Sequence, residues 1–234
     1  MLSFTLKFTL NLGTHFAILP AQNNDGTYLC NKNKNLMNTH LYLARHGQTQ
    51  WNKIHRFQGQ LDSDLTETGK LQSDNIAHQL VDKKIDLIVS STLGRAVHTA
   101  DICQSRLNVP IISSDELIER DLGHWQGLYV ENVKTDKHYN ELLHQFTIRE
   151  PNNGESAINC ATRIYHTLEK LAQDHVNKSL LVIFHGEALR CFLAQLGHGL
   201  TGNAYELFDN GSVFQVTYQL DQKRFNLLTE QLTN

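Results

Sequence analysis

The chain alternates short apolar runs with longer amphipathic stretches. Leu41-Tyr-Leu-Ala44, Leu87-Ile-Val89 and Leu180-Leu-Val-Ile-Phe184 carry no interior polar residue, the pattern of strands covered on both faces. They predict strands over 40–45, 85–90 and 180–184, with a shorter one over 109–112. Between them, polar and apolar positions recur at helical spacing. That spacing predicts helices over 66–82, capped by Thr66, and over 93–107, 155–175 and 186–197, with a helical segment near 130–146. Strand–helix alternation of this kind predicts an α/β fold, a doubly wound, mostly parallel sheet with helices on both faces. After Asp209-Asn210-Gly211 the pattern becomes alternating from Ser212 to Leu220, followed by Phe225 to Leu228. This reads as a C-terminal hairpin that adds an antiparallel edge.

The pattern is weak at the beginning. Residues 1–36 hold the Asn-rich stretches Asn23-Asn24-Asp25-Gly26 and Asn31-Lys-Asn-Lys-Asn35. They are expected to be a disordered extension, or to precede a true start at Met37. An export signal is the competing reading, although Asn11, Gly13 and His15 break its apolar core. Residues 37–234 are expected to form a single domain.

Composition narrows the class. The 234 residues are 40% hydrophobic and carry a net charge of −3, enough for one sizeable core and contrary to a nucleic-acid partner. No run approaches the roughly 18 apolar residues of a membrane span. Cys30, Cys103, Cys160 and Cys191 lack CxxC spacing and are expected as reduced thiols. Thirteen histidines include no HExxH arrangement, so neither a metal nor a cofactor is expected. These features predict a cytoplasmic enzyme. They leave a homodimer open.

The candidate chemistry begins where the first strand ends, in Arg45-His46-Gly47. Strand carboxyl ends are where open α/β sheets collect ligands. Arg45 presents a fixed fork of donors to phosphate oxygens, and Gly47 is expected to bring backbone N–H groups close to an anion. A neutral His46 could attack phosphorus without first losing a proton. Taken alone, this tripeptide is three common residues. Leu180–Phe184 repeats the arrangement, ending in His185-Gly186, so two strand tips could deliver two imidazoles to one crevice. Arg95 falls in the first turn of a helix, where a cation opposes the macrodipole and calls for an anionic partner.

Two further segments are polar loops by themselves. One runs from Arg56 to Gly69. The other, Asp115-Glu-Leu-Ile-Glu-Arg-Asp-Leu-Gly-His-Trp-Gln-Gly127, clusters carboxylates ahead of a tryptophan. Spacing does not choose among Asp115, Glu119 and Asp121.

Taken together and in this order, the motifs resemble the histidine phosphatase superfamily, phosphoglycerate-mutase-like branch, over residues 38–220. The resemblance implies that His46 is phosphorylated during the cycle and that Arg45, Asn52, Arg95 and His185 form its phosphate pocket. It further implies Glu119 as proton donor, Gln58, Gly59 and Gly186 as substrate-lining positions, and a cap over the substrate around 129–153. Gly154-Glu155-Ser156 and the helix through Arg163 match an element expected to shape the pocket wall.

Two positions depart from the family pattern. Phe184 stands where a small hydroxyl residue is common, and its loss of one hydrogen bond is expected to loosen His185. Glu187 follows Gly186 and either faces solvent, where its charge suits the helix dipole, or alters substrate choice. Two arginines are expected to keep Glu119 ionised until a phosphate dianion raises its pKa.

The implied activity is hydrolysis of small phosphate monoesters. Its runner-up is a 2,3-bisphosphoglycerate-dependent phosphoglycerate mutase. The segment between Glu119 and His185 is shorter than in glycolytic mutases, and a short cap admits water as acceptor. A catalytically silent phospho-ligand-binding protein is the third reading.

Overall fold

The computed structural model describes residues 37–199 and 202–229. The expectation for residues 1–36, and Cys30 with them, lies outside the described residues. The described residues belong to one compact unit.

The first half runs β1 (Asn38–Arg45), α1 (Gln50–Lys53), α2 (Glu67–Leu80), β2 (Leu87–Ser91), α3 (Gly94–Leu107) and β3 (Ile111–Ser114). The second half adds α4 (Val130–Val133), α5 (Tyr139–His144), α6 (Ala157–Asp174), β4 (Ser179–Phe184), α7 (Gly186–Gln195), α8 (Ala204–Leu207), β5 (Val213–Gln219) and β6 (Arg224–Thr229). The six strands form one sheet in the order β3-β2-β4-β1-β5-β6. β1 to β4 are mutually parallel where they pair, and β5 and β6 add the antiparallel edge.

Both faces are covered because the apolar runs supply residues to each in turn. Leu41 and Leu43 of β1, with Leu180, Val182 and Phe184 of β4, pack on α6 and α7. The intervening Tyr42, Ala44, Leu181 and Ile183 pack on α2 and α3. A period-2 backbone with no polar interior positions has no face to give to water.

Boundaries differ from expectation where local chemistry intervenes. β3 begins at Ile111, not at 109, since Pro110 has no N–H for the ladder and contributes only its carbonyl, which accepts from Ile88 N at 2.9 Å. The 130–146 segment is two short helices. Asp136 Oδ1 accepts the His138 N–H at 2.8 Å and turns the chain between them. Thr66 caps α2 as expected, its side chain accepting from Gly69 N. A separate small core gathers Phe57, Leu122, Trp125, Val133, Tyr139 and Leu142.

Candidate active site

The register of β1 against β4 sets Arg45 opposite Phe184, so the next residue of each strand, His46 and His185, leave the sheet side by side. His46 N donates to Phe184 O at 3.1 Å, and the two imidazole centroids lie 5.2 Å apart, edge to face. His46 Nδ1 meets its neighbour's carbonyl, Gly47 O, at 2.8 Å. A carbonyl accepts only, so Nδ1 carries the hydrogen and Nε2 keeps its lone pair. Arg95 Nε donates to that Nε2 at 3.2 Å.

Arg95 is 2% exposed, and its anionic partner is Asp62, at 3.0 Å from Nη1. Leu61 O and Gly59 O take further donors from the same guanidinium, each at 2.7 Å. The arginine is thus fixed before any ligand arrives. Arg45 is anchored through Nη1 to the carbonyls of Phe208 and Ala204, while its buried Nε has no hydrogen-bond partner. A Cβ on Gly186 would stand 3.2 Å from that Nε, so a glycine leaves the guanidinium edge uncovered. Asn52 Oδ1 accepts from Thr49 N, Thr49 Oγ1 and Asn210 Nδ2, which leaves its amide nitrogen for the pocket.

Glu119 is held at the first turn of α7. Its carboxylate accepts the N–H groups of Arg120 and Ala188, both at 2.8 Å, and of Glu187 at 3.2 Å, the last two belonging to the first turn of α7. Arg163 of α6 braces the turn that presents it, donating to Glu116 O and Ile118 O at 2.9 and 3.0 Å while ion-paired to Glu155. Glu155 N reaches Asp121 O at 2.8 Å.

Electrostatics sorts these groups. Burial, then the charges of Arg95 and Arg45, hold the His46 pKa well below its ordinary value of 6.5. His185 is depressed likewise, by burial first and then Arg95 and His46. Both are neutral imidazoles at neutral pH. Glu119 goes the other way: burial and the Glu187 charge raise its pKa, against the opposing pull of the Arg120 N–H and Arg95.

A neutral imidazole nitrogen, two fixed guanidinium groups and a carboxyl with raised proton affinity converge on one small pocket, and comparison with known proteins agrees with that chemistry. The model of the histidine phosphatase superfamily (branch 1) matches residues 41–231. The chain belongs to the histidine phosphatase superfamily. It is 35% identical over 167 residues to phosphoserine phosphatase 1 of Hydrogenobacter thermophilus, covering 69% of this chain and 78% of that one. It is 31% identical over 182 residues to a protein of Proteus mirabilis named probable phosphoglycerate mutase GpmB, covering 76% and 85%. Among solved structures, a mycobacterial glucosyl-3-phosphoglycerate phosphatase complexed with VO3 superposes with a TM-score of 0.72 at 28% identity, covering 81% of this chain and 97% of that one. The chain is accordingly a hydrolase of the phosphoglycerate-mutase family, a phosphomonoesterase of small phosphorylated metabolites.

In this phosphatase Arg45, His46, Asn52, Gln58, Gly59, Arg95, Glu119 and Gly186 line one pocket. His185 stands beside it, against the His46 ring. Leu122, Ala204 and Tyr205 also line the pocket and were not anticipated. Tyr205 follows Asn203, whose side chain caps α8 by accepting from Tyr205 N and Glu206 N; that cap is the only sequence signal that pointed there.

Four expectations are corrected. The Gly47 N–H is taken by Thr99 Oγ1 at 3.1 Å, so it does not serve an anion; glycine is needed because a Cβ would collide with the Gly69 carbonyl of α2. The hydroxyl partner of His185 is present after all. Ser91 Oγ at the end of β2 lies 2.8 Å from His185 Nε2, while Phe184 is core. Glu187 does not face solvent: it is 4% exposed and paired with Arg190 and Arg120 at 3.0 and 3.3 Å. The Glu119 pKa is raised, not lowered, because burial and Glu187 outweigh Arg95.

Cys103, Cys160 and Cys191 are free and buried. Among the described residues, no group of three or more His, Cys, Asp or Glu side chains is arranged to hold a metal ion, and no helix is long and apolar enough to cross a membrane.

Proposed function

We propose that the phosphatase works through a phosphohistidine on His46. The observation that carries this reading is the unprotonated Nε2 of His46, on a neutral pocket-lining ring fixed through Nδ1 to Gly47 O; its partner before substrate binds is the Arg95 Nε donor at 3.2 Å, which turns to the phosphate oxygens as Nε2 attacks. Nε2 attacks the phosphorus of a monoester as the P–O bond to the leaving alcohol breaks, and Glu119 gives its proton to the departing oxygen. The Glu119 carboxylate then takes a proton from water as that water attacks phosphorus. The N–P bond breaks and inorganic phosphate leaves.

Arg45, Arg95, Asn52 and His185 hold the three equatorial oxygens, where charge is spread in the transition state. Gln58, Gly59 and Gly186 line the same space. Arg45 Nε, buried without a partner, is a donor suited to one of those oxygens.

The leaving group extends past Tyr205 into a cleft of about 230 Å³ that also meets His55, Val130 and Lys134, residues on or beside the cap around 129–153. Phosphorylated amino acids or sugar acids, the substrates named in relatives, fit a cleft whose wall carries both Lys134 and Glu206, an ammonium for a carboxylate and a carboxylate for an amino or hydroxyl group. We place the activity in the cytoplasm of a cell. The net charge of −3 does not favour a nucleic-acid partner. A homodimer is compatible with this reading, and residues 37–234 serve as one catalytic domain.

The mutase reading keeps a place because of the Proteus mirabilis relative. Phosphate release from a panel of monoesters, run beside 3-phosphoglycerate isomerisation with 2,3-bisphosphoglycerate present, decides between them. Release that disappears in His46→Ala supports hydrolysis. Isomerisation with little free phosphate supports the mutase.

A further inference from the structure

Glu187 is a buried carboxylate for which the phosphoryl-transfer steps above have no use. Its side chain accepts from Arg190 Nε at 3.1 Å and Nη2 at 3.0 Å, from Arg120 Nη1 at 3.3 Å and from Ala204 N at 3.0 Å. These bonds join three places. Arg120 is the residue after Glu119. Ala204 opens α8, and its carbonyl, with that of Phe208 just after the helix, holds Arg45. The Glu187 backbone N–H itself donates to Glu119 at 3.2 Å.

A buried ion cluster of this kind is weak evidence for stability, since apolar residues of like volume commonly do as well. Its position is the informative feature. It sets Glu187 on the wall of the same pocket as Glu119, while its counterions Arg120 and Arg190, at 3.3 and 3.0 Å, do not line that pocket.

We infer that Glu187 is a positioning residue for the acid: it fixes the turn carrying Glu119 against α7 and α8 and, by like-charge repulsion, keeps a proton on Glu119 for the leaving oxygen. The inference rests on the reading of Glu119 as proton donor. The charged and titratable groups around Glu119 are Arg45 from β1, His46 just beyond it, Arg95 from α3, Arg120 next in the chain, Arg163 from α6, Glu187 from α7 and Tyr205 from α8. Among them Glu187 is the one carboxylate. The arginines all favour an ionised Glu119, so without Glu187 nothing but burial would resist them. Glu187 itself is held ionised by Arg190 and Arg120 against its own burial.

The test is the pH profile of kcat on two substrates. β-Glycerophosphate leaves as an alkoxide and needs the proton; p-nitrophenyl phosphate leaves as a stable phenolate and does not. In Glu187→Gln the alkaline limb for β-glycerophosphate should move to lower pH, with kcat at pH 8 about tenfold down and the p-nitrophenyl ester losing less. Glu187→Asp, which keeps the charge, should move the limb back toward the wild type.

If the single Gln variant does not fold, E187Q/R190Q is read in its place, since it removes both charges and leaves two amides able to bond each other. An unmoved limb, or equal loss on both substrates, overturns the inference. Glu119→Gln serves as the control. If it too fails to discriminate between the substrates, the acid reading falls along with the inference; if it discriminates while the Glu187 variants do not, only the inference falls.

Discussion

Ser91 and His185 are joined across two strands: the hydroxyl at the carboxyl end of β2 meets Nε2 of the histidine at the end of β4, at 2.8 Å. The Ser90–Ile183 register of the parallel pair brings them together. The neighbouring strand thus supplies the polar contact that the preceding residue, Phe184, does not. Ser91→Ala should lose that contact, worth about 1 kcal/mol, or roughly fivefold in kcal-equivalent rate. Ser91→Thr should restore most of it. Steady-state kcat on one good substrate checks both, and an alanine variant as fast as wild type would show that the hydroxyl does not orient the ring.

Gly47 should not tolerate a side chain. A Cβ there would run into the Gly69 carbonyl and stand 2.8 Å from Ser73 Oγ, and the backbone of α2 cannot move away without disturbing the Thr66 cap. Gly47→Ala is expected to cost about 1–3 kcal/mol of stability. Urea unfolding measures this, and an unchanged midpoint would mean the contact between β1 and α2 relaxes freely.

The two buried histidines make stability depend on pH in a stated window. Their folded pKa values lie well below 6.5, so beneath that pH the unfolded chain takes up protons that the folded chain refuses. Their contribution is therefore full above pH 6.5 and is lost as pH falls toward the folded values. The slope is at most about 1.4 kcal/mol per pH unit for each histidine. Urea midpoints at pH 7.5 and 5.5 should differ accordingly, and His185→Asn should flatten the dependence. A wild-type midpoint independent of pH over that range would contradict the burial of neutral imidazoles.

Much of this arrangement was legible along the chain because its decisive residues end strands. Arg45-His46 and His185-Gly186 each follow an uninterrupted apolar run, and parallel pairing of two such runs puts their tips together without further information. Ser91, Tyr205 and Asn210 were not legible as site residues. Each reaches the site through tertiary closure: the Asn203 cap marks a helix start before Tyr205 and Asp209-Asn210-Gly211 marks a turn, but neither pattern points to the pocket. Glu187 misled for a physical reason: a glutamate in the first turn of a helix is ordinarily solvated, and its burial is made tolerable by Arg190 one turn on together with Arg120 and Ala204 N, which arrive from distant segments. Gly47 misled in another way. The need for glycine was readable, but the atom demanding it, the Gly69 carbonyl, belongs to α2.

Lys134 should tune which monoesters bind. It stands at the wall of the cleft beyond Tyr205, with 54% of its side chain exposed and Glu131 3.9 Å away, a distance at which the pair competes weakly for its charge. A carboxylate on the leaving group could approach this ammonium while the phosphate rests between Arg45 and Arg95. An exposed pair of that kind contributes up to about 1 kcal/mol, so Lys134→Ala should raise KM roughly fivefold for carboxylate-bearing substrates such as phosphoserine. It should leave KM for β-glycerophosphate, and kcat for both, near their original values, because Lys134 does not touch the reacting phosphorus. Raising salt to 1 M should shrink the difference between wild type and variant, as the Debye length falls to about 3 Å. Equal KM changes for charged and uncharged leaving groups would mean that the cleft selects by shape instead.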